Sequence, residues 1–396
     1  MFKHGLKRAR CRRRSIVPAC LRRRVSVVGG RSRLNPLPVR VSVRALLQAS
    51  ALVAAVALSW SGLAAAAPAP ELVLGTWNLE HLAAEDRAGC RPRQAADYAR
   101  LRAVAERLDA DIVALQEVEN AAAVARVFDP ARYDIVVSER REARSVGCRG
   151  MPGQARTVLR TGFAIQRERL AALGLDWRAL PPYRALGIEG GRWGTRIRIE
   201  PLERADSALP EARPGVAGHS ATALELMSLH LKAGCAWGRL DGSGVNRPQC
   251  LLLRRQRGIL EQWVDGRAEA GQAFALMGDF NRQLDQPRDD LWRELDDGEV
   301  CDWRDDKQLG RQCRPGTRVA HPGADLLLAN AGRPFPYPRN PKYPYAIDHF
   351  VFGGDAATWV IDDSFVALGF PQGPPPSDHH PLRIRLRLPS SSNPTR

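Results

Sequence analysis

No aspartate or glutamate occurs in the first 70 residues of this 396-residue chain, and no charge of either sign falls between Ala45 and Ala67. Fourteen lysines and arginines lie before Ala45 with no acid among them, so the segment has nothing to pair with and is expected to be disordered. The uncharged stretch is apolar, ALLQASALVAAVALSW, and ends in Ala64–Ala67 and Pro68. A basic region, an apolar run and an A-x-A-like exit read together as a secretory signal peptide. Cleavage is expected after Ala66, because cutting one residue later would leave Pro68 first. The run is long enough to span a bilayer, but the small-residue exit favours its removal. The basic stretch is longer than an ordinary signal needs, so translation is expected to start beyond Met1. Residues 1–66 are therefore a leader, and the rest is expected to be secreted or periplasmic with no membrane span.

Once the leader is set aside, the chain also lacks an excess of charge. The whole sequence carries +16 and a pI of about 10.2. Of its 59 basic residues 14 are in the leader, leaving 45 against 43 acids, a net of +2. That excludes a general bias toward polyanions. No C-x-x-C pair occurs, which argues against a structural zinc site. Two of the eight cysteines, Cys11 and Cys20, lie in the leader. The remaining six form an even set in an exported chain and read as disulfides, with fifteen possible pairings. Cys235–Cys250 and Cys301–Cys313 are favoured because each would close a short polar loop, which leaves Cys90 with Cys148. No internal repeat or dividing linker is visible. Residues 67–390 read as one domain with disulfide-closed loop insertions, and 391–396 as a disordered tail.

Periodicity supplies the elements. Glu71–Asn78 and Asp111–Val118 read as strands around a helix at Gln94–Leu108, whose apolar positions Leu101, Val104, Ala105 and Leu108 keep a helical period. Further strands are predicted at Tyr133–Ser138, Thr161–Gln166, within Arg196–His230 around a Pro/Gly-rich break at 208–218, at Ala273–Gly278 and at Ala346–Phe352. Gln249–Val264 reads as a helix and 296–345 mostly as loop. In Pro381–Leu388, Leu382, Ile384, Leu386 and Leu388 alternate with Arg383, Arg385 and Arg387, the pattern of a strand with one wet face. Many strands with few helices predict a four-layer α/β sandwich, two packed β-sheets flanked by helices.

Polar residues recur where these strands end: Thr76-Trp77-Asn78, Gln116-Glu117, His230-Leu231-Lys232, Gly278-Asp279-Phe280-Asn281, Ile347-Asp348-His349 and Ser377-Asp378-His379-His380. Each fragment alone has an ordinary reading. Asn78 could turn the chain, Glu119 could replace Glu117, Asp279 and Asn281 could form an Asx-turn, and Ser377-Asp378 could cap a turn. Together they would converge on one rim of the sandwich. Carboxylates, amides and histidines in that mix suit a hard cation, Mg²⁺ or Mn²⁺, with Ca²⁺ possible.

The ordered set resembles the endonuclease/exonuclease/phosphatase superfamily, with its DNase I-like fold, over residues 71 to about 388. Gly278–Asn281 and Ser377–His379 are its most specific parts. The resemblance implies a metal site at Glu117, Asn78 and Asp378, and a catalytic His379 oriented by Asp348. It also implies His230 on the scissile phosphate, and Asp279 with Asn281 holding the attacking water and a phosphoryl oxygen. His380 has no counterpart. Arg156 and Arg160 are further candidates for phosphate contact. The expected activity is a secreted, divalent-metal-dependent phosphodiesterase. Its first-choice substrate is DNA, cut with low sequence specificity by a monomer without a stable protein partner. A phospholipid phosphodiesterase such as a sphingomyelinase, or a small-molecule phosphatase, is the alternative. Such a lipid enzyme should expose Trp237, or Phe335 with Tyr337, for membrane insertion. A non-catalytic binding module is a third possibility.

Overall fold

The computed structural model describes residues 71–141, 146–202, 223–242, 244–338, 344–371 and 373–389. The leader, the 208–218 break and the tail lie outside them. The first sheet has six strands: β1 (Glu71–Leu82), β2 (Ile112–Val118), β3 (Tyr133–Val137), β4 (Arg160–Gln166), β15 (Val366–Ala367) and β16 (Leu382–Arg387). The second has six more: β5 (Leu175–Tyr183), β6 (Gly194–Pro201), β7 (Leu224–His230), β8 (Ala273–Asp279), β13 (Leu327–Leu328) and β14 (Asp348–Gly353). The orders are β15-β16-β1-β2-β4-β3 and β13-β14-β8-β7-β6-β5. Short strands β9 (Glu299–Val300), β10 (Trp303–Asp306), β11 (Gly310–Cys313) and β12 (Val319–Ala320) form two small ribbons in the region that reads as loop from sequence.

Each large sheet contains one parallel pair, β1·β2 and β7·β8; the other pairings are antiparallel. A parallel pair needs a crossover, and a helix supplies it in both. Helix α1 (Ala95–Leu108) joins β1 to β2. The short helices α2 (Ala121–Ala125) and α3 (Arg167–Ala172) follow β2 and β4, and the long α4 (Pro248–Glu269) joins β7 to β8.

Strand alternation divides the core into layers. Leu72, Leu74, Ile112, Phe163, Leu226, Met277, Phe350 and Ile384 fill the space between the sheets. Leu101, Val104 and Leu108 of α1 cover the outer face of the first sheet with Val113 and Leu115. Leu253, Leu260 and Val264 of α4 cover the second with Phe274, Leu276 and Val351. This is the four-layer α/β sandwich. The alternation in β16 has its expected sense, and β1 and the two-residue β15 flank the strand. Its arginines serve structure. Arg385 and Arg387 reach Glu71 at 2.9 and 3.5 Å, and Arg383 donates to the Leu108 carbonyl.

Disulfides join Cys90–Cys148, Cys235–Cys250 and Cys301–Cys313, which is compatible with export. Among the described residues no helix is long and apolar enough to cross a membrane.

Candidate active site

The inner faces of the two sheets turn polar at one end. On β1 the inward series Leu72, Leu74, Thr76 continues to Asn78; on β2, Ile112 and Ala114 continue to Gln116. On β7, Leu224 and Leu226 give way to Ser228 and His230, and on β8, Ala275 and Met277 to Asp279. Register aligns these ends: Asn78 opposite Gln116, His230 opposite Asp279, and Asp279 opposite Asp348. A polar layer below the rim ties the sheets together. Gln116 Nε2 donates to Ser228 Oγ at 3.2 Å, and the Thr161 and Thr195 hydroxyls meet at 2.8 Å.

Asp279 is the hub. Its Oδ2 accepts from Asn78 Nδ2 at 3.0 Å and Asn281 Nδ2 at 3.1 Å, and its Oδ1 accepts from the Asn281 N–H at 2.7 Å. The Asx-turn that G-D-x-N allows is therefore present, with Asn281 left-handed at φ 50°, and its carboxylate still faces the rim. His230 Nε2 lies 3.2 Å from Asp279 Oδ2 and 3.8 Å from Glu117 Oε1. Burial, followed by the charge of Arg192, holds His230 well below the usual imidazole range. It is thus a neutral ring.

His379 arrives on a clamped loop. Ser377 Oγ donates to the Asn78 carbonyl at 2.7 Å and accepts from the His379 N–H, while Trp77 Nε1 donates to the His379 carbonyl at 2.9 Å. The ring's Nδ1 is 2.6 Å from Asp348 Oδ2, and Nε2 faces Asp279 Oδ2 and Asp378 Oδ1, each at 3.8 Å. Burial alone would lower its pKa. The charges of Asp348 and Asp279 reverse that and lift it to about 10. Burial pushes Asp279 up to about 7; His379 opposes the rise, and the charges of Asp348 and Glu117 add to it.

Crowded carboxylates are a reason to test for a cation. Asp279, Asp348 and His379 each place a donor atom within 4.8 Å of the others, and buried Asp348 Oδ1 has no hydrogen-bond partner. Glu117 leans in from a β-bulge: pairing shifts between Gln116 and Val118, and its φ is 58°. The carboxylates among them are hard oxygen donors, and a buried carboxylate oxygen without a partner fits a hard divalent ion.

A family model described as the endonuclease/exonuclease/phosphatase family matches residues 75–379. The chain belongs to that family. Members of the family are hydrolases acting on phosphoester bonds, and they usually use divalent metals. Three solved structures illustrate the likeness. The human nocturnin catalytic domain with bound sulfate is 13% identical, with a TM-score of 0.47 over 81% of this chain and 94% of that one. TDP2 from Caenorhabditis elegans is 14% identical, with a TM-score of 0.45 over 85% and 81%. A family protein from Bacteroides vulgatus is 12% identical, with a TM-score of 0.45 over 81% and 100%. No curated protein matches the chain.

Against that family frame, the structure brings His379, Asp348, His230, Asp279, Asn281, Asn78 and Glu117 to one rim, with Asp378 beside His379. The amide of Asn78 is already engaged, since Nδ2 donates to Asp279 and Oδ1 accepts from the Glu80 N–H. Arg160 Nε donates to the Arg140 carbonyl at 2.8 Å. Sequence reasoning missed three groups. His81 folds back across a bulge in β1, its N–H 3.0 Å from Glu117 Oε2. Arg192, partly exposed, donates to the Leu231 carbonyl at 2.5 Å, and desolvation lowers its pKa while the charges of Glu117 and Asp279 oppose that. Burial, with Arg192 and Arg156 adding to it, depresses Lys232. Only Lys232 sat in a recognisable motif; the other two are placed by backbone irregularity and tertiary packing.

Proposed function

We propose that this chain is an exported, divalent-metal-dependent phosphodiesterase that cuts DNA with little sequence preference. One observation carries the reading: Asp348, on the strand next to Asp279 in the same sheet, meets His379, on the loop before β16 of the other sheet, at 2.6 Å, and His379 Nε2 stands 3.8 Å from Asp279 Oδ2. A phosphodiester is an anion that resists a nucleophile. A divalent cation held by Glu117, Asp279 and their neighbours would neutralise phosphoryl oxygens.

The chain's own residues supply the rest. Asp348 fixes Nδ1 of His379, so Nε2 is the atom that takes the proton of an attacking water. Asp348 also makes that ring a strong base, so its neutral fraction, and the rate, rise with pH. Asp279 and Asn281 hold the water and a phosphoryl oxygen. Asn78 holds the Asp279 carboxylate. His230, kept neutral, donates to the phosphate rather than repelling the cation. Arg156, Arg192 and Lys232 form a cationic flank for the backbone, and phosphate contacts position a substrate without reading its sequence. The net charge of +2 beyond the leader implies few such contacts and a shallow salt dependence. In this reading residues 1–66 are removed on export and the remainder works as a monomer.

The membrane alternative loses support from one of its three aromatic candidates. Phe335 is half-buried and packs with Tyr337 around His380, whereas Tyr337 and Trp237 stay 37% and 54% exposed. The test is hydrolysis of plasmid DNA, RNA, sphingomyelin and bis-p-nitrophenyl phosphate side by side, with Mn²⁺ and with EDTA. Cleavage of DNA that EDTA abolishes is expected. Robust turnover of the lipid or of a phosphomonoester with no cleavage of nucleic acid would reject the nuclease reading.

A further inference from the structure

A hollow of about 230 Å³ opens beside the catalytic pair, with Asp348, Asp378 and His379 forming one wall. Its other walls include four aromatic side chains, Trp237, Phe335, Tyr337 and Tyr345. We propose that this hollow is a base subsite, which takes one unpaired nucleobase of the substrate next to the scissile phosphate. The proposal rests on the nuclease reading and adds the form of nucleic acid that the site accepts.

The chemistry of the walls selects the occupant. Aromatic faces offer stacking, which every nucleobase can use and a flexible acyl chain cannot. The volume lies below the roughly 300–1,000 Å³ of sites that enclose a whole small molecule, so the hollow suits a single ring system. A base within a duplex is stacked on both faces, and it must leave the stack to enter.

The walls are also built to stay in place. Tyr337 and Phe370 sandwich the His380 ring, each at 4.2 Å, and His380 Nδ1 bonds the Leu368 carbonyl at 2.9 Å. The extra histidine after the catalytic one thus holds an aromatic wall. The Phe335 N–H donates to the carbonyl of Pro344, next to Tyr345, at 2.8 Å. Trp237 sits on the loop closed by Cys235–Cys250. Arg282, buried and paired with Asp289 at 2.6 Å, donates to the Cys235 carbonyl at 3.0 Å and to that of Gly238. The Gln283 N–H holds the Ala236 carbonyl at 2.8 Å. An indole 54% exposed on so constrained a loop is presented to a ligand at little entropic cost. A larger hollow of about 580 Å³, which Trp237 also borders, is walled by residues of the 237–250 loop and includes no catalytic or metal-site candidate.

The experiment uses single-stranded pentanucleotides with one cleavable phosphodiester. They are intact, or lack the base on one or the other side of that bond. The readout is kcat/KM for the wild type, Trp237→Ala and Tyr345→Ala, with Mn²⁺ present. Losing one particular base is expected to lower wild-type kcat/KM by about tenfold or more, the usual worth of one stacked base, and losing the other to matter little. Each variant should slow the intact strand by a similar factor and leave the strand lacking that base unchanged. Equal cleavage of all three strands by the wild type, or variants that slow all strands alike, would overturn the subsite. No cleavage of any strand, beside turnover of a phospholipid or phosphomonoester, would strike instead at the nuclease reading.

Discussion

Asp279 shows how much one carboxylate can organise. It accepts from Asn78 and Asn281, faces His230 and His379, and is buried to 1% exposure. Its pKa, pushed to about 7, ties cation binding to pH, because a carboxylate must lose its proton to bind a metal. Half-maximal activity is therefore expected to need about tenfold more Mn²⁺ at pH 6 than at pH 8. Equal Mn²⁺ titrations at the two pH values would remove Asp279 from the cation's surroundings. Glu117 makes a companion case. The sequence Q-E-V-E-N leaves Glu117 and Glu119 as rivals, and only the bulge and its left-handed φ decide between them. Glu119 instead accepts from the Ala84 N–H at 2.7 Å as a loop clamp. Glu117→Gln should raise the Mg²⁺ or Mn²⁺ concentration for half-maximal activity by about tenfold or more. An unchanged metal titration would place the ion elsewhere.

Strands announce themselves in sequence where one face is buried and its alternation runs unbroken, as in β7, β8 and β16. β5 does not: its LDWRALPPY carries two prolines and a single buried position, so it passes for loop. α4 extends five residues past Val264 because Asp265 is buried on it instead of ending it. Gly278, at φ 136°, is where β8 reaches the site; a Cβ there would lie 2.3 Å from the Leu229 carbonyl. Gly278→Ala should disrupt the β7·β8 pairing and displace Asp279, lowering both thermal stability and activity. A variant as stable and as active as the wild type would show that the strand ends tolerate the shift. On α4, Glu261 and Asp265 lie one turn apart. Burial pushes Glu261 well above the carboxylate range and Asp265 to about 7, and their like-charged neighbours add to both shifts. Folded-state pKa values above the unfolded ones mean that the folded chain binds protons more tightly. Stability is then greatest below the unfolded carboxylate pKa near 4 and falls as pH rises through about 7. Melting temperature should drop between pH 5 and pH 8, and Glu261→Gln should flatten part of that drop. An identical pH dependence in the variant would mean that Glu261 is not protonated in the fold.

At the scale of the molecule, composition misleads and order informs. The pI of about 10.2 comes mainly from the basic run before Ala45, and the β16 arginines are bound to Glu71 and a helix end. What could be read was the sequence of strand-end motifs, because period-2 alternation carries Asn78, Gln116, His230 and Asp279 onto the inner face. What could not be read was the contribution of bulges and loops: His81, Arg192 and the aromatic walls held by Arg282 and His380. The central claim is that His379, held by Asp348, is the group that activates water. It is tested most directly by the turnover of bis-p-nitrophenyl phosphate at saturating Mn²⁺, comparing His379→Ala with the wild type. The expected result is a loss of about 10²–10⁴-fold with an unchanged melting temperature. A variant that keeps more than half of the wild-type turnover would contradict it.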